Sequence, residues 1–188
     1  MNLRNIYFIL RHGESEANRQ GIVSTWPEEA NNPLTEKGRR QIKKIIPKLK
    51  KKKIDLIFSS DLLRARQTAE MIAQELGLKV KLEKRLREIN VGAFNGKSAN
   101  EWYNFFSRPM ERFSKRPLGG ENLRDVKKRV VDFIKEIDKE YKNKKILIVS
   151  HKDSLLSLTG AIKEFSDREI LINYDKLALE TGEVRKLI

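Results

Sequence analysis

The sequence of 188 residues predicts an α/β fold, a three-layer sandwich in which helices flank a mostly parallel central sheet. Three short, mainly apolar runs support this prediction, at residues 6–10, 54–58 and 145–149. Such runs are typical of strands buried on both faces of a parallel sheet. Segments with apolar residues at helical spacing separate the runs, and strands that alternate with helices imply parallel pairing.

The first predicted strand, residues 6–10, changes character abruptly at its end. Arg11 and His12 follow it directly, and Gly13 allows a tight turn there. A polar loop is predicted over residues 19–33. Because ligands of open α/β sheets bind beyond the carboxyl ends of the strands, a cation and an imidazole at this position indicate a functional site.

A helix is predicted to begin at Thr35, whose hydroxyl is a favourable N-cap. Its apolar stripe includes Ile42, Ile46 and Leu49. Pro47 falls inside the same segment, and a proline within a helix removes a hydrogen bond and clashes with the preceding turn. We therefore expect the helix to kink at Pro47 or to end early.

The second predicted strand, residues 54–58, leads directly into a helix over residues 62–76. Gly77 is a favourable C-terminal stop, and Ser60 or Asp61 is expected to cap the other end. Arginines occupy the first turns of this helix, where the helix dipole disfavours cations. We therefore expect an anionic group beside Arg64 or its neighbour Arg66.

The middle of the chain has weaker patterns. Residues 79–83 alternate apolar and charged side chains, which is typical of a strand at or near a sheet edge. A short helix is predicted over residues 98–106, and residues 108–122 are expected to be irregular. A long loop of this kind is usually functional. The chain is therefore predicted to form one domain, residues 1–188, with a small cap or insert around residues 85–122.

The last third contains the most regular helical pattern, over residues 123–141. A third buried strand follows at residues 145–149, and then a helix at residues 154–162. The tail has weaker signals. Residues 177–180 and 184–187 are expected to form a terminal hairpin.

Composition limits the possible classes of protein. The chain has no cysteine, so disulfides, thiolate metal sites and thiol nucleophiles are excluded. The sequence shows neither a signal peptide nor an apolar run of the roughly 20 residues that span a membrane. A soluble cytoplasmic protein is therefore expected.

The formal net charge is +14. This charge either reflects lysine-rich surfaces in general or favours an anionic partner: nucleic acid, a membrane surface or a phosphorylated small molecule.

The two histidines of the chain both follow predicted buried strands. His12 ends the first strand beside Arg11, His151 follows the third, and Arg64 lies one turn beyond the second. Because the carboxyl ends of parallel strands meet at one edge of the sheet, we expect these four side chains to lie close together.

Two histidines and two arginines favour phosphoryl chemistry. The guanidinium group binds phosphate oxygens bidentately and stays charged at any working pH, and a neutral imidazole is a competent nucleophile. Histidines are also metal ligands, but the flanking arginines would repel a divalent cation. A metal site is therefore not expected.

Several motifs, in matching order and spacing over about residues 5–160, resemble the histidine phosphatase superfamily, which contains the cofactor-dependent phosphoglycerate mutases and related phosphatases. The motifs are Leu10-Arg-His-Gly-Glu-Ser-Glu-Ala-Asn18, Pro33-Leu-Thr-Glu-Lys-Gly38, Ser59-Ser-Asp-Leu-Leu-Arg-Ala-Arg-Gln-Thr-Ala69, Leu86-Arg-Glu-Ile89, Gly119-Gly-Glu121 and Val149-Ser-His151. The resemblance implies a phosphoglycerate mutase-like fold.

The resemblance also implies a role for each group around the phosphate. His12 would attack phosphorus and become a phosphohistidine. Arg11, Arg64 and His151 would surround the phosphoryl oxygens, and Asn18 would help to hold them.

The acid–base role falls to Glu88 by the same resemblance. Glu88 would protonate the leaving oxygen and later take a proton from water, with Glu14 as an alternative acid. No metal or organic cofactor is implied.

Some positions depart from the family's pattern. Lys152 and Asp153 follow His151, where many members have glycine, so Lys152 either points to solvent or adds a cation to the pocket. Asn32 replaces a frequent aspartate, and Asn122 replaces a common serine.

The short cap favours a phosphatase over a mutase, because water can then reach the phosphoenzyme. A metal-independent phosphomonoesterase for small phosphorylated metabolites is therefore predicted, as a monomer or homodimer. A cofactor-dependent phosphoglycerate mutase is the alternative. A basic protein that binds nucleic acid is a weaker one, because no aromatic stacking platform or recognition helix is evident.

Overall fold

Five strands form the central sheet of the computed structural model, which describes residues 1–28 and 31–187. They are β1 (Ile6–Arg11), β2 (Leu56–Ser59), β3 (Val80–Leu82), β4 (Lys145–Ser150) and β5 (Val184–Lys186). Their spatial order is β3-β2-β4-β1-β5. The first four strands pair in parallel, and β5 pairs antiparallel to β1. The predicted α/β fold with a mostly parallel sheet is confirmed.

The helices cover both faces and the rim of the sheet. They are α1 (Glu16–Gln20), α2 (Glu36–Lys52), α3 (Leu63–Leu76), α4 (Ala99–Asn104), α5 (Leu123–Glu140), α6 (Lys152–Ile162), α7 (Asp167–Ile172) and α8 (Tyr174–Leu177). Short 3-10 turns lie at Lys84–Leu86, Gly92–Phe94 and Pro109–Phe113. Across the described ranges, no helix is long and apolar enough to cross a bilayer.

Successive side chains of β1 point to opposite faces of the sheet, and both faces are covered. Tyr7 and Ile9 belong to a core shared with α5 and α6. Phe8 and Leu10 belong to a second core shared with α2 and α3. Helices pack on both faces of the strand, which accounts for its uninterrupted apolar sequence. The three layers form the sandwich.

The register of the parallel strands aligns their carboxyl ends. Arg11 of β1 lies opposite Ser150 of β4, and Ser59 of β2 lies opposite Val149. The residues that follow these three strands therefore emerge side by side at one edge of the sheet, as the sequence predicts.

Helix α2 begins as predicted, because the Thr35 hydroxyl accepts a hydrogen bond from the Gly38 N–H at 3.0 Å. Of the two outcomes expected at Pro47, a kink or an early end of the helix, the early end does not occur. The helix continues to Lys52. Ile46 and Leu49, on either side of the proline, are both buried in the core, and this burial holds the last turns in place.

The predicted cap of α3 is also wrong. Its N-cap position is Leu62, which has no side-chain cap hydrogen bond. Asp61 instead accepts two hydrogen bonds from Arg87, at 2.7 and 2.6 Å. A carboxylate from the preceding loop takes over part of the capping role, because Glu28 Oε2 accepts a hydrogen bond from the Leu63 N–H at 3.1 Å.

The predicted terminal hairpin does not form. The first half of the tail forms α7 and α8, and β5 pairs with β1 instead of with its neighbour in sequence. Ser166 starts α7 through a capping box with Glu169. Leu177 ends α8 and, together with Leu179, packs into the core, and residues 178–180 do not form a strand.

Candidate active site

The two histidines lie together at the carboxyl edge of the sheet. His12 directly follows β1 and His151 directly follows β4, and both are almost completely buried. Their ring centroids are 5.0 Å apart. The expectation that separate strand ends bring these side chains together is therefore met.

The hydrogen bonds of His12 indicate which ring nitrogen can act as a nucleophile. Nδ1 lies 2.8 Å from the carbonyl oxygen of Gly13, which can only accept, so Nδ1 carries the proton. Nε2 then holds the lone pair, and the Arg64 Nε–H donates to it at 3.2 Å. The nucleophilic atom of the neutral ring therefore faces a guanidinium group.

Arg64 is held by three different groups. Besides donating to His12, it donates through Nη1 to Glu28 Oε1 at 3.0 Å and through Nη2 to the Ser24 carbonyl at 2.9 Å. Glu28 provides the anionic group expected beside Arg64. No pattern in the sequence indicated that a loop residue 36 positions earlier in the chain would supply this group.

Arg11 and Asn18 bring further hydrogen-bond donors to the same cavity as His12. Arg11 donates through Nη1 to the Leu179 carbonyl at 3.0 Å, and its buried Nε–H has no partner among residues 1–28 and 31–187. Asn18 Oδ1 accepts from the backbone N–H and the hydroxyl of Ser15. Its amide NH₂ thus remains the donor for a ligand.

His151 is oriented by the residue that follows β2. Its Nε2 lies 2.8 Å from Ser60 Oγ, and its buried Nδ1 has no hydrogen-bond partner within the described part of the chain. An unpartnered buried nitrogen of this kind is costly unless a ligand or water satisfies it.

Both imidazoles are held in their neutral form. Burial, and then the positive charge of Arg64, lower the pKa of His12 and of His151 well below the usual value. A neutral ring keeps the lone pair that nucleophilic attack requires. The positive charge of Arg64 thus helps to keep both rings unprotonated at mildly acidic pH.

Glu88 has the opposite shift. Burial, and then the negative charge of Asp153, raise the pKa of the Glu88 carboxyl above its usual value. Its Oε1 accepts hydrogen bonds from the backbone N–H groups of Ile89, at 3.0 Å, and Asp153, at 3.1 Å. A raised pKa and a fixed orientation suit a carboxyl that donates a proton.

Asp153 is a site residue whose role the sequence did not indicate, although its position after His151 stood out. Its carboxylate accepts a hydrogen bond at 2.8 Å to each oxygen from Nη2 of Arg112, and both partners are buried. The Asp153 carboxylate of this pair places a negative charge near Glu88.

A single cavity of about 220 Å³ joins most of the predicted site residues. Its lining includes Arg11, His12, Asn18, Arg64 and Glu88. His151 adjoins His12 but is not among the lining residues.

Other predictions about the site have different outcomes. Glu14 does not line the cavity: its carboxylate accepts hydrogen bonds from Thr35 and Lys37, so the alternative acid is wrong. Lys152 does border the cavity, with Nζ 5.1 Å from the ring centroid of Tyr174. Asn32 accepts a hydrogen bond from the Ala17 N–H.

No group of three or more histidine, aspartate or glutamate side chains that could hold a metal ion occurs within residues 1–28 and 31–187. The cavity beside His12 is lined by the cations Arg11, Arg64 and Lys152 and by the carboxyl groups of Glu88 and Asp153. Fold and site together thus define an α/β protein with an arginine-lined cavity beside a buried histidine.

Residues 7–179 match the histidine phosphatase superfamily (branch 1), and the chain belongs to this family. The resemblance seen in the motifs is confirmed. A 2,3-bisphosphoglycerate-dependent phosphoglycerate mutase of Thermoplasma acidophilum is 34% identical over 165 residues, which cover 87% of this chain and 79% of that protein. Phosphoserine phosphatase 1 of Hydrogenobacter thermophilus is 32% identical over 148 residues, which cover 76% and 69%.

A solved structure supports the same assignment. The Entamoeba histolytica phosphoserine phosphatase in complex with 3-phosphoglyceric acid superimposes with a TM-score of 0.78 at 25% identity. The superposition covers 96% of this chain and 88% of that chain. The fold is thus shared along nearly the whole length of both proteins.

Proposed function

We propose that this protein is a phosphomonoesterase that hydrolyses small phosphorylated metabolites through a phosphohistidine at His12, without a metal ion. The observation that carries the proposal is the orientation of His12: its Nε2 lone pair faces Arg64 at 3.2 Å on the wall of an anion pocket. A phosphate held by this arginine would present its phosphorus to that nitrogen.

In the first step, the Nε2 lone pair of His12 forms a bond to phosphorus while the ester P–O bond breaks. The electron pair of that bond goes to the leaving alcohol oxygen, which takes the proton of Glu88. Arg11 and Arg64 bind the phosphoryl oxygens, where negative charge is concentrated in the transition state. His151 completes the group of side chains around these oxygens. Stationary donors of this kind each contribute about 10²–10³ in rate.

In the second step, water attacks phosphorus and the N–P bond breaks. The ionised Glu88 takes a proton from the attacking water, and the electron pair returns to His12 Nε2. Inorganic phosphate leaves, and both side chains regain their starting state. The backbone N–H groups that bind Glu88 Oε1 keep the carboxyl in place for both steps.

The alternative function is phosphoryl transfer between positions of a phosphoglycerate, and similarity to the Thermoplasma acidophilum mutase favours it. A mutase must retain its bisphosphate and exclude water. The segment around residues 85–122, proposed as the cap, is short and carries one helix of six residues, α4. A cap of this size should admit water to the phosphoenzyme, so hydrolysis is the preferred reading.

A substrate screen tests the proposal. The protein, dialysed against EDTA, is given a panel of phosphomonoesters, and release of inorganic phosphate is measured with and without added Mg²⁺. We expect release without metal and none from His12→Ala. A parallel assay with 3-phosphoglycerate and a trace of 2,3-bisphosphoglycerate detects mutase activity. Formation of 2-phosphoglycerate faster than free phosphate would overturn the phosphatase assignment in favour of the mutase.

A further inference from the structure

A second, larger groove lies directly beside the phosphate cavity. Its volume is about 840 Å³. Its walls come from α4, the 3-10 turn Pro109–Phe113, the start of α6 and the helices α7 and α8. The residues that form its apolar walls are Tyr103, Phe106, Pro109, Met110, Leu171, Ile172 and Tyr174.

Large apolar side chains of the groove are open to solvent. Ile172 is 72% exposed, Tyr103 43% and Met110 41%. Exposed apolar side chains that are scattered singly are normal, but side chains that converge on one concave surface mark a binding site. The sequence pattern did not indicate this apolar patch, because it did not predict helix α7.

The groove is continuous with the phosphate cavity. Tyr103 and Lys152 line both. The proposed acid is linked to the groove through one short path: Asp153 donates its N–H to Glu88, and its carboxylate pairs with Arg112, which lines the groove. A leaving oxygen protonated by Glu88 would therefore carry its substituent past Asp153 and towards the groove.

The two tyrosines of the groove are fixed by the buried arginine between them. The guanidinium carbon of Arg112 lies 5.6 Å from the ring centroid of Tyr103 and 5.9 Å from that of Tyr174. Both phenols are uncharged at neutral pH, because the usual pKa of tyrosine is about 10. The groove thus presents aromatic rings beside the cations Arg108, Arg112 and Lys152, which suits a flat aromatic ligand.

We propose that this groove binds the alcohol part of the substrate, and that the preferred substrates are phosphomonoesters of flat, aromatic alcohols larger than one phenyl ring. The proposal rests on the proposed function, because it assumes that the cavity beside His12 binds the phosphate. Lys152 stands at the junction, where its cation can contact either the phosphate or an aromatic ring of the ligand.

The test compares phenyl phosphate with 1-naphthyl phosphate. Their leaving phenols have similar acidity, so the chemical step changes little and the added ring reports on binding. We expect kcat/KM to be at least about tenfold higher for the naphthyl ester, since even one additional methylene in an apolar pocket changes kcat/KM by about 10–200-fold. Ile172→Asp should reduce this naphthyl-to-phenyl ratio about tenfold. The control Leu118→Asp, at an exposed leucine outside the groove, should leave the ratio unchanged.

A binding measurement separates this inference from the proposed function. Affinity for both esters is measured by calorimetry on the His12→Ala protein, with and without Ile172→Asp. If the wild type hydrolyses neither ester but the naphthyl ester still binds more tightly in an Ile172-dependent way, the groove assignment stands and the phosphatase assignment falls. Equal affinity for the two esters overturns the groove assignment.

Light scattering of the same proteins provides the remaining outcome. A second copy of the chain could cover the groove instead of a ligand. If Ile172→Asp converts a dimer to a monomer and leaves the naphthyl-to-phenyl ratio unchanged, the groove is a subunit interface and the proposal is wrong. A wild type and a variant of equal mass, with the altered ratio, support it.

Discussion

The Nε–H of Arg64 donates a hydrogen bond to Nε2 of His12 at 3.2 Å, deep in the cavity at the carboxyl edge of the sheet. Three bonds fix this guanidinium, so its charge is already in place before a phosphate binds. A preorganised cation loses little freedom when the reaction takes place, and this is the main source of electrostatic catalysis.

Removal of Arg64 tests the importance of this preorganised charge. We expect Arg64→Ala to reduce kcat/KM for para-nitrophenyl phosphate about 10²–10³-fold, as for other stationary donors. Arg66→Ala is the matched control, because Arg66 lies on the exposed side of the same helix. Its Nε is 3.6 Å from Oε1 of Glu70. A loss of the same size in both variants would show that helix α3, and not the Arg64 charge, had been damaged.

Glu88→Gln tests the leaving-group acid. Glutamine cannot donate a proton to the leaving oxygen, so hydrolysis of an alkyl phosphate should fall about 10²–10⁴-fold. Hydrolysis of para-nitrophenyl phosphate should fall much less, since nitrophenolate leaves without protonation. Glu14→Gln is the control and should leave both rates within about threefold. Equal losses for both substrates in Glu88→Gln would contradict the assigned role.

The pH profile should depend on Asp153. Glu88 must be protonated to act as an acid, so the phosphorylation rate falls as pH rises through the pKa of Glu88. The charge of Asp153 helps to raise that pKa. Asp153→Asn should therefore lower the pKa of Glu88 and move the alkaline limb of the profile to lower pH. Single-turnover release of phenol from phenyl phosphate, with enzyme in excess, measures this limb.

A second variant keeps the Asp153 test interpretable. Asp153→Asn leaves the buried Arg112 without its carboxylate partner, which costs about 3–5 kcal/mol of stability. The double variant Asp153→Asn with Arg112→Met removes both charges and should recover stability while keeping the shifted limb. An alkaline limb at the wild-type pH in the double variant would rule out Asp153 as the source of the shift.

Gly38→Ala tests the packing that supports the His12 turn. A Cβ atom at Gly38 would overlap the carbonyl oxygen and the nitrogen of Glu14. Alanine normally stabilises a helix relative to glycine by about 1 kcal/mol. Here the expected sign is reversed: the melting temperature should fall, together with activity. Arg40→Ala, at an exposed position of the same helix, should leave both nearly unchanged. A stabilised Gly38→Ala protein would contradict the close approach.

The elements with strong apolar periodicity were predictable from sequence. The buried strands could be predicted because each is a continuous apolar run. Helix α5 could be predicted because its apolar residues form one stripe at helical spacing. The exceptions lie where tertiary contacts outweigh a local preference. Pro47 remains within a helix because its neighbours are core residues, and the tail pairs with β1 because the edge of that strand is open.

Arg11, His12 and His151 lie at strand ends, where the local sequence indicates their position, whereas Asn18 and Glu88 were indicated only by the resemblance to the family. Glu28 could not be identified in this way, because its role depends on how a polar loop folds across the start of α3. The same reason applies to the Arg112–Asp153 pair, which joins residues 41 positions apart. The departure from the family pattern after His151 was the one available signal. It drew attention to Asp153 but did not identify Arg112 as its partner.

The phosphoenzyme provides the most direct test of His12 as the nucleophile. The protein is mixed with ³²P-labelled substrate and quenched in alkali after a few milliseconds, and the labelled peptide is identified by mass spectrometry. We expect label on His12 that is stable in alkali and lost in acid, as a phosphohistidine is, and none in His12→Ala. Label on any other residue, or hydrolysis by His12→Ala at the wild-type rate, would contradict the mechanism.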